Sequence, residues 1–310
     1  MRDRRGGFIG SATGPAAADF NSAASGIWTL REAESLKRAG TWPRVLVPTD
    51  LAGLQLWLDA SDASTLYDAT SGGSLVAADG AVARWEDKSG NARHATQGTS
   101  GSRPLRKTSV QGGKDVLRFD GSDDSLSIAS STATFKFLHS ADSTVFAVFK
   151  SGTTSNPGQS TYGILYTCRS SFAVVGYGID ALDSSPLNDA ISLTILRGVG
   201  GSYNVYNEIN GGFPSNQFAL AAFVTKPTNG TAANRSDYRK NGGAASQNNA
   251  ATGAASAANS QADLTLGMVP IDNAGFLNGD IAEIVIYNAA LSDTDRASVE
   301  NFLISKWHIT

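Results

Sequence analysis

The strongest constraint on the fold is a two-residue alternation of apolar and polar side chains, repeated in short runs from residue 54 onward. Successive side chains of a strand point to opposite faces. "LQLWLD" therefore puts Leu54, Leu56 and Leu58 on one face and Gln55, Trp57 and Asp59 on the other. "VLRFDG" likewise sends Leu117 and Phe119 inward and Arg118 and Asp120 outward. "STVFAVFK" and "IAEIVIY" are almost continuously apolar, the pattern of strands covered on both faces. Further short runs are "YGILYTC", "FAVVGYG", "ISLTILRG", "YNVYNEI", "FALAAFV" and "ADLTLGM", separated by Gly, Asn, Asp and Ser turns. About ten short strands around two apolar faces predict an all-β chain, an antiparallel β-sandwich or jelly roll.

Helices are expected only at the two ends. In "SGIWTLREAESLKRAGTW" (25–42), Thr29 and Glu32 have capping-box spacing, Gly40 can end a helix and Pro43 stops it. Its stripe of Leu30, Ala33, Leu36 and Lys37 is too short to hold a helix in water unless it packs on something. At the other end Ser292 and Asp295 again have capping-box spacing, and Val299, Phe302, Leu303 and Trp307 share one face. Two domains follow: an arm with a short helix at 1–44 and a sandwich at 45–310. The stretch 241–261, almost pure Gly, Ala, Ser, Asn and Gln, is expected to be a long flexible loop with part of it a weak edge strand.

Charge divides along the same boundary. The net charge is -3, yet residues 1–44 hold seven Arg or Lys against four Asp or Glu, leaving -6 on the remainder. A basic arm on an acidic body can dock on an acidic partner, although a solvated tail is the plainer expectation from charge alone. A near-neutral total argues against nucleic acid as a partner, and no apolar run is long enough to cross a membrane. The basic residues 2–5 lead into a stretch too rich in glycine for a secretion signal. Cys168 is alone, so no internal disulfide is expected, and it reads as a buried structural thiol.

Few motifs point to chemistry. Glu86 and Asp87 in "WEDKSGN" are adjacent carboxylates, but neighbours on a strand face opposite ways and glycosidases need two acids facing one site. A turn in which Asp87 and Asn91 bond local backbone is favoured. Asp120, Asp123 and Asp124 in "FDGSDDSL" could collect oxygen ligands for Ca²⁺, though an Asp-Gly hairpin turn explains them as well. Asp59 with Asp62, and Asn278 with Asp280, offer weaker calcium options. Ca²⁺ is thus the one cofactor left open, with none of these places selected. His94, His139 and His308 lack metal-ligand spacing. Tyr203, Tyr206 and Phe213 stand among Asn and Asp residues, a mix that suits stacking on a sugar or ordinary sandwich packing.

"LQLWLDASDASTLYD", "VARWEDKSGNARHATQ", "RPLRK" and "LRFDGSDDSLSI", with the tail "FLNGDIAEIVIYNAALSDTDRASVENFLISKWHI", resemble the laminin-G-like, concanavalin A-type lectin/glucanase sandwich over roughly residues 50–308. That fold carries lectins, hydrolases and structural modules alike. Its glucanases display alternate carboxylates along one strand, whereas Glu283 here stands between Ala282 and Ile284 with no E-x-D-x-E pattern, so no catalytic residues are assigned. "GGFIGSATGPAAADFNSAASGIWTLREAESLKRAGTWP" resembles the leading segment of tailed-phage virion proteins. The resemblance implies a non-enzymatic virion structural protein, a head decoration, fibre or tail-associated chain. Its arm would contact other virion proteins or sister copies through Trp28, Leu30, Leu36 and Trp42. The sandwich would be displayed in symmetric multiple copies and touch host glycans. A carbohydrate-binding adhesion module is the second expectation and a glycan hydrolase the third.

Overall fold

A computed structural model describes residues 30–39, 46–152, 161–168, 175–182, 190–197, 203–209, 216–246, 255–270 and 273–310. Two antiparallel sheets make the sandwich. Sheet A runs β14 (Ser236–Lys240), β13 (Ala219–Thr225), β8 (Ser143–Ser151), β16 (Asn278–Tyr287), β6 (Lys114–Asp120) and β5 (Leu105–Gln111), and β1 (Leu54–Asp59) also pairs with the long β16. Sheet B runs β12 (Tyr203–Ile209), β11 (Ala190–Arg197), β10 (Val175–Leu182), β9 (Thr161–Tyr166) and β15 (Thr265–Leu266). It continues through β7 (Leu126–Ser127), β4 (Ala95–Thr96), β3 (Arg84–Trp85) and β2 (Leu66–Tyr67).

Alternation along the strands builds two apolar layers. Leu117 and Phe119 of β6, Val145, Ala147 and Phe149 of β8, and Ile284 and Ile286 of β16 point between the sheets, where they meet Trp85, Leu126, Leu165, Ile179 and Leu266. The intervening residues of sheet A, among them Phe146, Val148, Val285 and Tyr287, pack under the closing helix α3 (Asp293–Trp307), while a short helix α2 (Phe137–Ser140) precedes β8. Sheet A is therefore covered on both faces, which is why β8 and β16 read as continuous apolar runs. Val299, Leu303 and Trp307 are fully buried, as their shared face predicts, with Phe302 partly buried beside them. The Ser292 hydroxyl caps α3 by accepting from the Asp295 N–H at 3.1 Å. Asp295 returns its carboxylate to that hydroxyl at 2.8 Å, where a full capping box would use the Ser292 backbone.

Several expectations need correction. The pairing of β1 with β16 shifts register between Leu54 and Leu56. Leu56 and Leu58 face the inter-sheet core, but Leu54 turns to the layer under α3, on the side of Trp57. "ADLTLGM" contributes only the two-residue β15. Residues 241–261 are not one loose loop: the His139 Nε2–H donates to the Ala258 carbonyl at 3.0 Å, and Ser260 N–H to Thr132 O at 3.1 Å. Residues 247–254 lie outside the described residues, and Ser246 makes an isolated bridge with Tyr238. Cys168 is fully buried.

Of the arm, 30–39 is described, and it contains the helix α1 (Leu30–Arg38). Arg31, Glu34, Ser35, Lys37 and Arg38 are exposed, and Leu30 is 88% exposed. Leu36 lies in this helix, whereas Trp28 and Trp42, with Thr29, Gly40 and Pro43, fall outside the described residues. After the arm, Leu46 is buried under α3 and the Pro48 carbonyl accepts from the Tyr287 hydroxyl at 2.8 Å.

Candidate functional site

The acidic residues that suggested chemistry are engaged in structure. Asp87 Oδ1 accepts the backbone N–H of Trp57 at 3.0 Å and of Ser89 at 2.9 Å, and Oδ2 accepts that of Arg93 at 3.1 Å. Asn91 donates to the Leu54 and Gln55 carbonyls, so "WEDKSGN" is a turn bolted to β1. Glu86 pairs with Arg84 Nε at 3.1 Å.

Glu283 lies cross-strand from Asp59 on the α3 side of sheet A. Its Oε1 accepts from the Trp57 indole at 2.7 Å, and its Oε2 from Trp307 Nε1 at 2.5 Å and Lys306 Nζ at 2.6 Å. Lys306 also meets Asp59 at 2.7 Å, and Lys88 bridges Asp59 at 2.9 Å and Asp62 at 2.8 Å. Burial, joined by the facing Asp59 charge, pushes Glu283 above the usual carboxylate range, and Lys306 opposes it. Burial works the same way on Asp59, but Lys306, Ser61 and Lys88 outweigh it and hold that carboxyl below its ordinary value. The calcium options at Asp59 with Asp62 and at Asp280 are thus answered by protein cations, since Asp280 pairs with Arg118 at 2.7 Å and Lys150 at 2.9 Å.

At the turn after β6, carboxylate oxygens of Asp120, Asp123 and Asp124 come within 4.8 Å of one another. Gly121 takes φ +78°, as an Asp-Gly turn requires. Asp124 accepts the Asp120 N–H at 3.0 Å, and burial with the neighbouring Asp120 and Asp123 charges raises its carboxyl to about 6.

A different place collects binding groups. Across sheet B the register aligns Tyr67, Arg84, Thr96, Ser127, Thr265 and Tyr166, and continues through Gly178, Thr194 and Tyr206. The adjacent positions Leu66, Trp85, Ala95, Leu126, Leu266, Leu165 and Ile179 point into the core, so Tyr67, Arg84, Thr96, Ser127, Thr265 and Tyr166 belong to the outer face. The Tyr166 ring lies over Gly178, where an added Cβ would come within 2.4 Å of it, and its hydroxyl donates to Asp180. Burial raises the Asp180 carboxyl to about 7, against that hydrogen bond.

At the β3–β4–β7 end of this face opens a cleft of about 280 Å³. Arg84, Arg93 and His94 line it, with the hydroxyl side chains of Thr70, Thr96, Ser130, Ser131 and Thr134. No carboxylate is among its described lining residues. The Arg84 guanidinium stacks 4.1 Å over the Tyr67 ring and gives one NH1 bond to the Ala69 carbonyl. Arg93 sits 5.5 Å over Phe135 and donates NH1 to Gln55 O and Oε1. Rings and carbonyls thereby fix both guanidiniums before any ligand arrives. Burial lowers the Arg93 pKa, with the Asp87 charge opposing.

Sequence reasoning missed this cleft, although Arg84, Arg93 and His94 sit in the "VARWEDKSGNARHATQ" stretch that marks the fold. Of the aromatics it selected instead, Tyr203 and Tyr206 lie on β12, the edge strand at the far end of sheet B, and Phe213 falls outside the described residues. The structure brings Tyr206 into the same register row as Arg84, with six strands between them.

No family model matches the chain, and no curated protein matches it in sequence. Solved structures do share its architecture. The receptor binding domain of botulinum neurotoxin D is similar with a TM-score of 0.50 at 12% identity, covering 83% of this chain and 54% of that one. The NanB sialidase of Streptococcus pneumoniae matches at 0.43 and 17% identity, covering 61% and 28%. The CBM40 domain of a Ruminococcus gnavus IT-sialidase, solved with α2,3-sialyllactose, matches at 0.42 and 13% identity, covering 63% and 98%. The chain spans 27% to 52% of the length of the first three matched structures. Identities this low speak to the fold alone, an antiparallel two-sheet sandwich.

Proposed function

We propose that the sandwich is a non-catalytic carbohydrate-binding module and that the cleft on the outer face of sheet B holds the sugar. The observation that carries this is the cleft's lining: Thr70, Ser130 and Thr134, whose hydroxyls can both donate and accept, beside guanidiniums locked in place by rings and carbonyls. A sugar presents many hydroxyls on a rigid ring, and fixed polar partners recognise it without paying for their own ordering. The volume suits one sugar unit, with the rest of a glycan lying outside. Receptor binding is what the name of the botulinum domain states, and recognition alone, not its receptor, is extended to this chain.

A glycan array followed by calorimetry tests this. Micromolar binding is expected, weakened at least tenfold by Thr134→Trp, which fills the cleft from its rim. Binding to no glycan, or binding that this variant leaves untouched, would overturn the assignment.

A second reading is favoured by α1, where Leu30 is 88% exposed and every other side chain described is exposed too. We propose that residues 1–44 attach the sandwich to other virion proteins of a tailed phage, or to sister copies, so that weak glycan contacts add up over many copies. Deleting residues 1–44 should leave the sandwich folded and abolish incorporation into particles. Normal incorporation of the shortened chain would count decisively against it.

A further inference from the structure

We infer that the sugar held in this cleft is acidic, and that Arg84 and Arg93 hold its carboxylate. The inference rests on the carbohydrate-binding reading of the same cleft and adds the charge of the ligand.

Charge balance comes first. Two guanidiniums line the cleft, and no carboxylate is among its described lining residues. Glu86 takes Arg84 Nε from outside the lining, and the Asp87 charge acts on Arg93 from the turn, where its oxygens accept backbone N–H groups and do not enter the cleft lining. The side chain of Arg84 is only 9% exposed, so its charge is largely removed from water.

Unused donors come second. Arg84 commits Nε and one NH1 bond, and its NH2 has no hydrogen-bond partner among the described residues. Arg93 commits NH1 alone, which leaves its Nε and NH2 without such a partner. Those two N–H groups form the parallel fork that matches the two oxygens of a carboxylate. A third donor stands beside them. The Asp87 N–H points at His94 Nδ1 from 3.0 Å, so in the neutral ring the proton sits on Nε2. A neutral sugar can receive these donors on its hydroxyls, but only singly and without a counter-charge, whereas a carboxylate takes the fork with both oxygens in the stronger charge-assisted form. An extended polyanion such as nucleic acid is disfavoured by the net charge of -6 carried beyond residue 44.

Calorimetry on the whole protein separates the possibilities. One arm uses an oligosaccharide ending in a uronic or sialic acid, the second the same oligosaccharide with its carboxyl reduced to an alcohol, and the third neutral glycans. Reduction is expected to weaken binding at least tenfold, and Arg93→Gln to erase the difference between the two forms. The ligand pair needs no altered protein, so a misfolded variant cannot hide the answer. Equal affinity for both forms, or preference for neutral glycans, overturns the acidic-sugar inference while leaving carbohydrate binding intact. Binding in no arm overturns carbohydrate binding itself.

Discussion

Glu283→Ala is expected to destabilise the fold by about 3–5 kcal/mol, the cost of breaking a buried ion pair by removing one partner. Three donors converge on this carboxylate: the indoles of Trp57 and Trp307 and the ammonium of Lys306. Alanine removes all three acceptor contacts and leaves two indole N–H groups in a site closed to water. Each such orphan costs about 1–3 kcal/mol. Lys306 keeps Asp59, so the loss is not that of a fully isolated cation. Because Trp57 belongs to β1 and Trp307 to α3, the carboxylate ties the first strand and the last helix to the central strand β16. Glu283→Gln preserves an acceptor for one indole and should cost roughly half as much. In urea, the alanine variant should shift the midpoint with little change in slope, and its melting temperature should fall by roughly 10 °C, scaling from a few degrees per kcal/mol. A melting temperature within about 2 °C of the parent would show that the network contributes nothing net, as some buried ion pairs do not.

That network shows how far the sequence could be read. An acid between Ala282 and Ile284 was visible as an anomaly in an apolar strand, and its failure to fit a hydrolase pattern was visible too. Its partners were not: they come from residues 226 and 24 positions away, brought together only by sheet pairing and by the docking of α3. The layers themselves were legible, because burial on two faces imposes runs such as β8 and burial on one imposes alternation such as β6. Legibility failed where a register shift turned Leu54 over, and where strands were too short or too polar to show a period. β5 has no buried residue, and β2, β3, β4 and β7 are two residues each. The cleft was lost for the same reason, since Arg84 and Thr96 become neighbours only through the pairing of β3 with β4. The aromatic-with-amide signal drew attention instead to Tyr203 and Tyr206, which lie on β12 at the far edge of sheet B.

Gly267→Ala should be about as costly as the loss of Glu283, for steric reasons alone. Gly267 follows β15 at φ +85°, a left-handed conformation that an L side chain pays about 1–3 kcal/mol to hold. A Cβ there would lie 2.4 Å from both Cδ1 and Cε1 of Phe119 and 3.1 Å from the Asp124 carbonyl oxygen. Phe119 is fully buried between the sheets, so its ring has no free space to retreat into, and overpacking of this kind adds about 1–3 kcal/mol. Nor can the backbone withdraw easily, because Gly267 O accepts from Leu277 N–H at 2.8 Å on the approach to β16. Thermal unfolding of Gly267→Ala, Phe119→Leu and the double variant separates the two causes. If the clash dominates, Phe119→Leu costs less in the alanine background than alone, a coupling of the size seen between residues in contact. If the backbone conformation dominates, the two costs add. A single variant melting within about 2 °C of the parent would mean that the sheets separate at this point without penalty, against the close packing that the buried Phe119 ring requires.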